Sequence, residues 1–82
     1  MMNIQYNLYS SEGCHLCEEA LALCESVMPL NTINIVDIVE DEKLVELYGI
    51  SIPVLEQLNS NEKLFWPFTQ EDIKKLHKLE LK

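Results

Sequence analysis

Apolar and polar residues alternate from Asn3 to Tyr9, with Ile4, Tyr6 and Leu8 on one face, and this period of two predicts a first strand. Gln5 and Asn7 make its other face unusually polar for a central strand. From Leu16 the period lengthens. Leu16, Ala20, Leu23, Cys24 and Val27 form a stripe at helical spacing, predicting a helix from about Cys14 to Met28 that Pro29 ends. Thr32 to Val39, rich in β-branched residues, predicts a second strand. Asp41 to Tyr48 predicts a second helix, with Leu44, Leu47 and Tyr48 sharing a face and Gly49 suited to a left-handed position after its end.

A third strand is predicted from Val54 to Leu58, then a polar turn, Asn59-Ser60-Asn61-Glu62, and a short fourth strand from Lys63 to Trp66 ended by Pro67. Those two strands should form a hairpin. The last helix has a legible start: Thr69 caps it, Asp72 takes the capping-box position, and Phe68 can pack on Ile73. The order strand, helix, strand, helix, strand, strand, helix makes an α/β chain. Strands one and two should be parallel with right-handed crossovers. There are no repeats, linkers or low-complexity stretches, so residues 1–82 read as a single domain with one small core.

Chemistry concentrates in Cys14-His15-Leu16-Cys17, which follows the first strand and the small-residue turn Ser10-Ser11-Glu12-Gly13. Two thiols three residues apart at a helix start can close a disulfide across one turn and reopen it, and near a β-α-β pattern the spacing reads as a redox dithiol. Cys14 lies where unpaired backbone N–H groups and the positive end of the helix dipole favour a thiolate over a free thiol with a pKa of about 8.5. A protonated His15 would add to this effect; Glu12, Glu18 and Glu19 oppose it. Cys17, one turn inside, should be more buried, which makes Cys14 the attacking thiol and Cys17 the resolving one. The plainer reading, two small apolar residues on a helix, leaves their place at the helix start unexplained.

Zinc is the chemical competitor, but it wants four ligands. His15, Cys24 and His77 are the remaining candidates, and none forms a second close-spaced pair. No metal site is predicted, although a cluster bridged between two chains stays open. Cys24 continues the apolar stripe and reads as a buried core thiol. Tyr9, Tyr48, Phe65, Trp66 and Phe68 read as core and hairpin packing rather than a ligand pocket.

Charge then narrows the partners. The net charge is −8, and residues 1–42 hold eight of the 14 acids without a single Lys or Arg, so the excess lies in the half with the dithiol. Arginine is absent, which removes the usual bidentate grip on phosphate or carboxylate. Nucleic acid is excluded as a partner on these grounds. No signal-peptide pattern opens the chain and no apolar run reaches the length of a membrane span, so a membrane is not expected and a reducing cytoplasm is the expected location. Three cysteines do not make a secreted disulfide scaffold.

The stretch from Tyr9 to Ala20 resembles the small glutaredoxin-like proteins of the thioredoxin superfamily, as do Val36-Asp37-Ile38 and Tyr48-Gly49-Ile50-Ser51-Ile52-Pro53-Val54-Leu55. The resemblance covers residues 3 to about 80. It implies a thioredoxin/glutaredoxin-like fold of order βαβαββα, a four-stranded mixed sheet flanked by three helices, with its dithiol at Cys14 and Cys17. It also implies that Pro53 is cis and faces the sulfurs, leaving the Ile52 backbone free to pair with an incoming peptide. Two departures matter. Glutaredoxins hold glutathione with a Lys or Arg just before the dithiol and a Gly-Gly-x-Asp stretch after strand four; here those regions read Ser10-Ser11-Glu12-Gly13 and Pro67-Phe68-Thr69-Gln70-Glu71-Asp72. The Trp before the dithiol and the Pro within it that mark thioredoxins are replaced by Gly13 and Leu16.

Together these readings predict a cytoplasmic, monomeric thiol–disulfide oxidoreductase with no bound cofactor. Cys14 is its nucleophile and Cys17 its resolving thiol, while His15, Leu16, Ile52 and Pro53 contact substrate. Its expected partners are protein disulfides, or a thiol reductant such as thioredoxin, in preference to glutathione. The alternative is a non-enzymatic interaction module, or a metal or iron–sulfur carrier, whose dithiol is vestigial or ligating.

Overall fold

The computed structural model describes residues 4–80, with the side chains of residues 78–80 left undescribed. The elements are β1 (Tyr6–Ser10), α1 (His15–Glu25), β2 (Ile33–Asp37), α2 (Glu42–Tyr48), β3 (Val54–Gln57), β4 (Lys63–Phe65) and α3 (Gln70–Glu80). Short 3-10 turns over Leu30–Thr32 and Ile38–Glu40 bracket β2. The strands form one mixed sheet in the order β2-β1-β3-β4. β1 runs parallel to β2 and antiparallel to β3, and β4 closes the hairpin with β3.

Pleating splits the core in two. Tyr6 and Leu8 of β1 face Ala20 and Cys24 of α1 and Ile73 and Leu76 of α3, together with Leu55, Met28, Ile33 and Phe68. Leu8 and Leu55 are cross-strand partners, each at most 1 % exposed, and burying such a side chain contributes roughly 1.5–3 kcal/mol. Tyr9 and Val54 face the opposite way, into a smaller cluster with Ile38 and Tyr48. α1 and α3 therefore share one face of the sheet, and α2 covers part of the other. The uncovered part of that second face carries the polar residues that looked out of place in strand one. Asn34 Nδ2 donates to Asn7 Oδ1 (3.2 Å), Asn7 Nδ2 to Tyr9 Oη (3.4 Å), and Tyr9 Oη to Glu56 Oε1 (2.6 Å).

Two polar ties fasten α3. The fully buried Gln57 side chain donates to the Leu76 carbonyl (2.8 Å), and Tyr6 Oη lies 2.7 Å from His77 Nδ1. His77, which the sequence leaves isolated, is thus joined to the central strand. The helix begins with the reciprocal pair its sequence predicts: Asp72 N–H donates to Thr69 Oγ1 and Thr69 N–H to Asp72 Oδ2.

Several predicted boundaries move. The predicted start of strand one at Asn3 lies outside the described residues; pairing begins at Gln5, whose N–H donates to the Thr32 carbonyl, and Ile4 is exposed. α1 ends at Glu25 rather than Met28: the Val27 N–H turns to the Cys24 carbonyl only three residues back, so the regular helical ladder gives way to a turn there. Strand two stops at Asp37, whose carboxylate accepts the Val39 N–H and starts the 3-10 turn. Asp41 caps α2 rather than joining it. β3 stops at Gln57 and β4 at Phe65, one residue short of the predicted Leu58 and Trp66.

Gly49 is right-handed, not left-handed: it continues the helical path (φ −50°, ψ −36°), and a Cβ there would collide with the Val45 carbonyl. Leu47 is 66 % exposed rather than packed beside Leu44 and Tyr48, since only the edge of the short α2 reaches the sheet. Phe65, expected in the core, is half outside it, with its ring against Tyr48.

Candidate active site

Where β1 ends, the chain must reverse into α1, and Gly13 makes this possible with φ +79°, a left-handed conformation that costs other residues about 1–2 kcal/mol. Cys14 follows as the N-cap in extended conformation, and its carbonyl accepts the Glu18 N–H (3.2 Å). Cys14 and Cys17 are joined by a disulfide across this first turn, with Cα atoms 5.2 Å apart. The two sulfurs differ in surroundings. Cys14 is partly exposed, and its Sγ accepts the backbone N–H of Cys17 at 3.1 Å. Cys17 is buried on the inner face of α1.

His15 and Leu16 form the exposed outer surface of the turn. His15 Nδ1 lies 3.3 Å from Glu18 Oε2, with both side chains largely in water, so the pair contributes little to stability. Glu12 is exposed and forms no ion pair among the described residues. Negative charge therefore surrounds the sulfurs, and the attraction for a thiolate comes from the backbone of α1.

Ile52 and Pro53 lie on the other flank of β1. Val54 pairs with Tyr9, which sets Pro53 level with Ser10, at the sheet end from which the dithiol loop departs. Pro53 is fully buried, the Ile52–Pro53 peptide is cis, and a second cis bond joins Trp66 to Pro67. The Ile52 backbone is not wholly free, because its N–H, like that of Ser51, donates to the Tyr48 carbonyl (3.0 and 2.8 Å). Only its carbonyl is left to receive a peptide. The prolonged end of α2 at Gly49 causes this, and an Ile-Pro motif gives no sign of it.

Sequence reasoning also missed a cleft of about 250 Å³ on the β2 flank of the disulfide. Both cysteines border it; Leu8, Leu21 and Ile35 supply apolar walls, and Glu12 and Glu18 stand at it. The usable signal was the register of two parallel strands, which sets Leu8 beside Ile35. Cys24, the third cysteine, is fully buried within α1's core face, and burial pushes its thiol up to about 11. Tyr9 is likewise pushed up to about 12, by burial first and then by its hydrogen bond to Glu56. Among the described residues, no three His, Cys, Asp or Glu side chains are grouped to hold a metal ion.

A four-stranded mixed sheet with three helices and a Cys-x-x-Cys pair at the start of the first helix defines a protein of the thioredoxin superfamily. More narrowly, the chain belongs to the Glutaredoxin-like domain (DUF836) family, whose match spans residues 5–78. Among solved structures it is similar to the X-ray structure of protein XcR50 from X. campestris, at 30 % identity and a TM-score of 0.71, over 90 % of this chain and 96 % of that one. It is also similar to the solution structure of protein Ne2328 from Nitrosomonas europaea, at 28 % identity and a TM-score of 0.74, over 94 % and 93 % of the two chains. No curated protein matches the chain. Among the described residues, no helix is long and apolar enough to cross a membrane.

Proposed function

We propose that this protein is a thiol–disulfide oxidoreductase acting on protein disulfides. The observation that carries the reading is the asymmetry of the pair: Cys14 half-exposed with its sulfur on a backbone N–H, Cys17 buried behind it. In the reducing direction, the Cys14 thiolate attacks one sulfur of a substrate disulfide. A mixed disulfide forms, and the other substrate sulfur leaves as a thiolate that takes up a proton. Cys17, as thiolate, then attacks the Cys14 sulfur, which closes the 14–17 disulfide and frees the second substrate thiol. Two electrons pass from the dithiol to the substrate. An external thiol reductant such as thioredoxin must return them, and a more oxidising partner drives the same steps backwards.

His15 and Leu16 meet the substrate around the Cys14 sulfur, while Pro53 and the Ile52 carbonyl bound it on the β3 flank. Glutathione is a poor fit: the turn before Cys14 offers no cation, and Glu12 and Glu18 repel its carboxylates. The protein works as a monomer in the cytoplasm, needing no bound cofactor. Equilibration with graded thiol–disulfide buffers, combined with metal analysis of the purified protein, tests the reading. A reversible two-electron couple at Cys14–Cys17 in metal-free protein is expected. Stoichiometric metal, or thiols that never pair, would favour a carrier instead.

A further inference from the structure

The cleft on the β2 flank is separate from the Ile52–Pro53 flank, because β1 lies between β2 and β3 in the sheet. A substrate held over Cys14 therefore meets two different surfaces, a backbone carbonyl on one side and a walled hollow on the other. The hollow's chemistry is specific. Its volume, about 250 Å³, falls below the roughly 300–1,000 Å³ of small-molecule sites and suits one or two side chains. Leu8, Leu21 and Ile35 make its walls apolar, and Cys17 closes it toward the disulfide. At its border stand two carboxylates, Glu12 without an ion-pair partner among the described residues and Glu18 facing only His15. No Lys or Arg occurs within residues 1–42 to neutralise them.

We propose that this cleft selects the polypeptide substrate, seating an apolar side chain next to the substrate's reacting cysteine while Glu12 and Glu18 pair with a neighbouring Lys or Arg. This rests on the oxidoreductase reading and adds which disulfides are chosen. An apolar residue alone would fill the walls but leave the carboxylates unanswered. A basic residue alone would gain only exposed, salt-screened attraction. The two together match both parts of the hollow. Acidic segments and nucleic acid are rejected by the same carboxylates.

The test is single-turnover reduction, by the reduced protein at low ionic strength, of four matched disulfide peptides. Their residues beside the reacting cysteine are Leu-Lys, Leu-Glu, Ser-Lys and Ser-Glu, and bis(2-hydroxyethyl) disulfide serves as an uncharged reference. The Leu-Lys peptide should react roughly five- to tenfold faster than Leu-Glu, and also faster than Ser-Lys. In the double variant E12K/E18K the charge preference should reverse toward Leu-Glu; both positions are exposed, so the fold is not at stake. Equal rates for all four peptides, with the hydroxyethyl disulfide still reduced, would overturn the cleft and leave the oxidoreductase standing. A preference that survives E12K/E18K unchanged would also overturn it. Failure to reduce any of the five disulfides would instead strike the underlying reading.

Discussion

The sulfur of Cys14 accepts the backbone N–H of Cys17 at 3.1 Å, so the buried cysteine of the pair also helps to hold the partly exposed one. That N–H is one of the donors a helix start cannot satisfy internally, and it favours the charged form of the sulfur. In the reduced protein, Cys14 should titrate below the ordinary thiol value of about 8.5, measured by the ultraviolet absorbance of the thiolate. Glu12→Gln should lower it further, because a nearby like charge is removed. A Cys14 thiol at or above the ordinary value would contradict the assignment.

Cys24 should behave as an inert core thiol. With its pKa pushed up to about 11 by burial, it should resist a thiol reagent near neutral pH until the protein is unfolded. Its effect on stability has a definite sign. The folded state keeps the proton more tightly than the unfolded one, so this contribution is intact below about 9 and is lost as pH rises toward 11. Tyr9, raised to about 12, acts in the same direction at higher pH. Denaturant titrations of Cys24→Ala and the parent should therefore converge as the solution becomes alkaline.

Thr69→Ala removes the acceptor for the Asp72 N–H and should cost about 1 kcal/mol. Chemical denaturation reads this directly. Activity of the reduced protein near 25 °C should be little changed, because neither Thr69 nor Asp72 borders the cleft beside the dithiol.

Salt should slow the reaction with a basic protein substrate, since attraction by the exposed acids of the first half is screened over about 8–10 Å. Stopped-flow rates across ionic strength check this, with an uncharged disulfide as reference. A slope of zero for the basic partner would remove the charge argument.

Local signals were readable in advance wherever the physics was local. Thr69 and Asp72 cap α3 as their spacing predicts, Asn61 turns the hairpin with a left-handed φ of 60°, and the dithiol opens α1. Ala20 and Cys24 face the core as the helical stripe requires. What escaped depended on contacts distant in sequence. The cleft exists because Ile35 lies in register with Leu8, 27 positions away along the chain. His77 is placed by Tyr6, 71 positions away along the chain. The end of α2 failed for a subtler reason: Gly49 permits either hand, and the Tyr48 carbonyl, by taking the N–H groups of both Ser51 and Ile52, decides for the right-handed one.

Trapping the mixed disulfide tests the central claim most directly. Cys17→Ser removes the resolving thiol, so after reaction with a protein disulfide the intermediate should persist as a covalent adduct on Cys14, visible as a mass shift that reductant reverses. Cys14→Ser should give no adduct, even though Cys17 remains. Adducts forming on Cys17 in the Cys14→Ser variant, or none in either variant, would contradict the account.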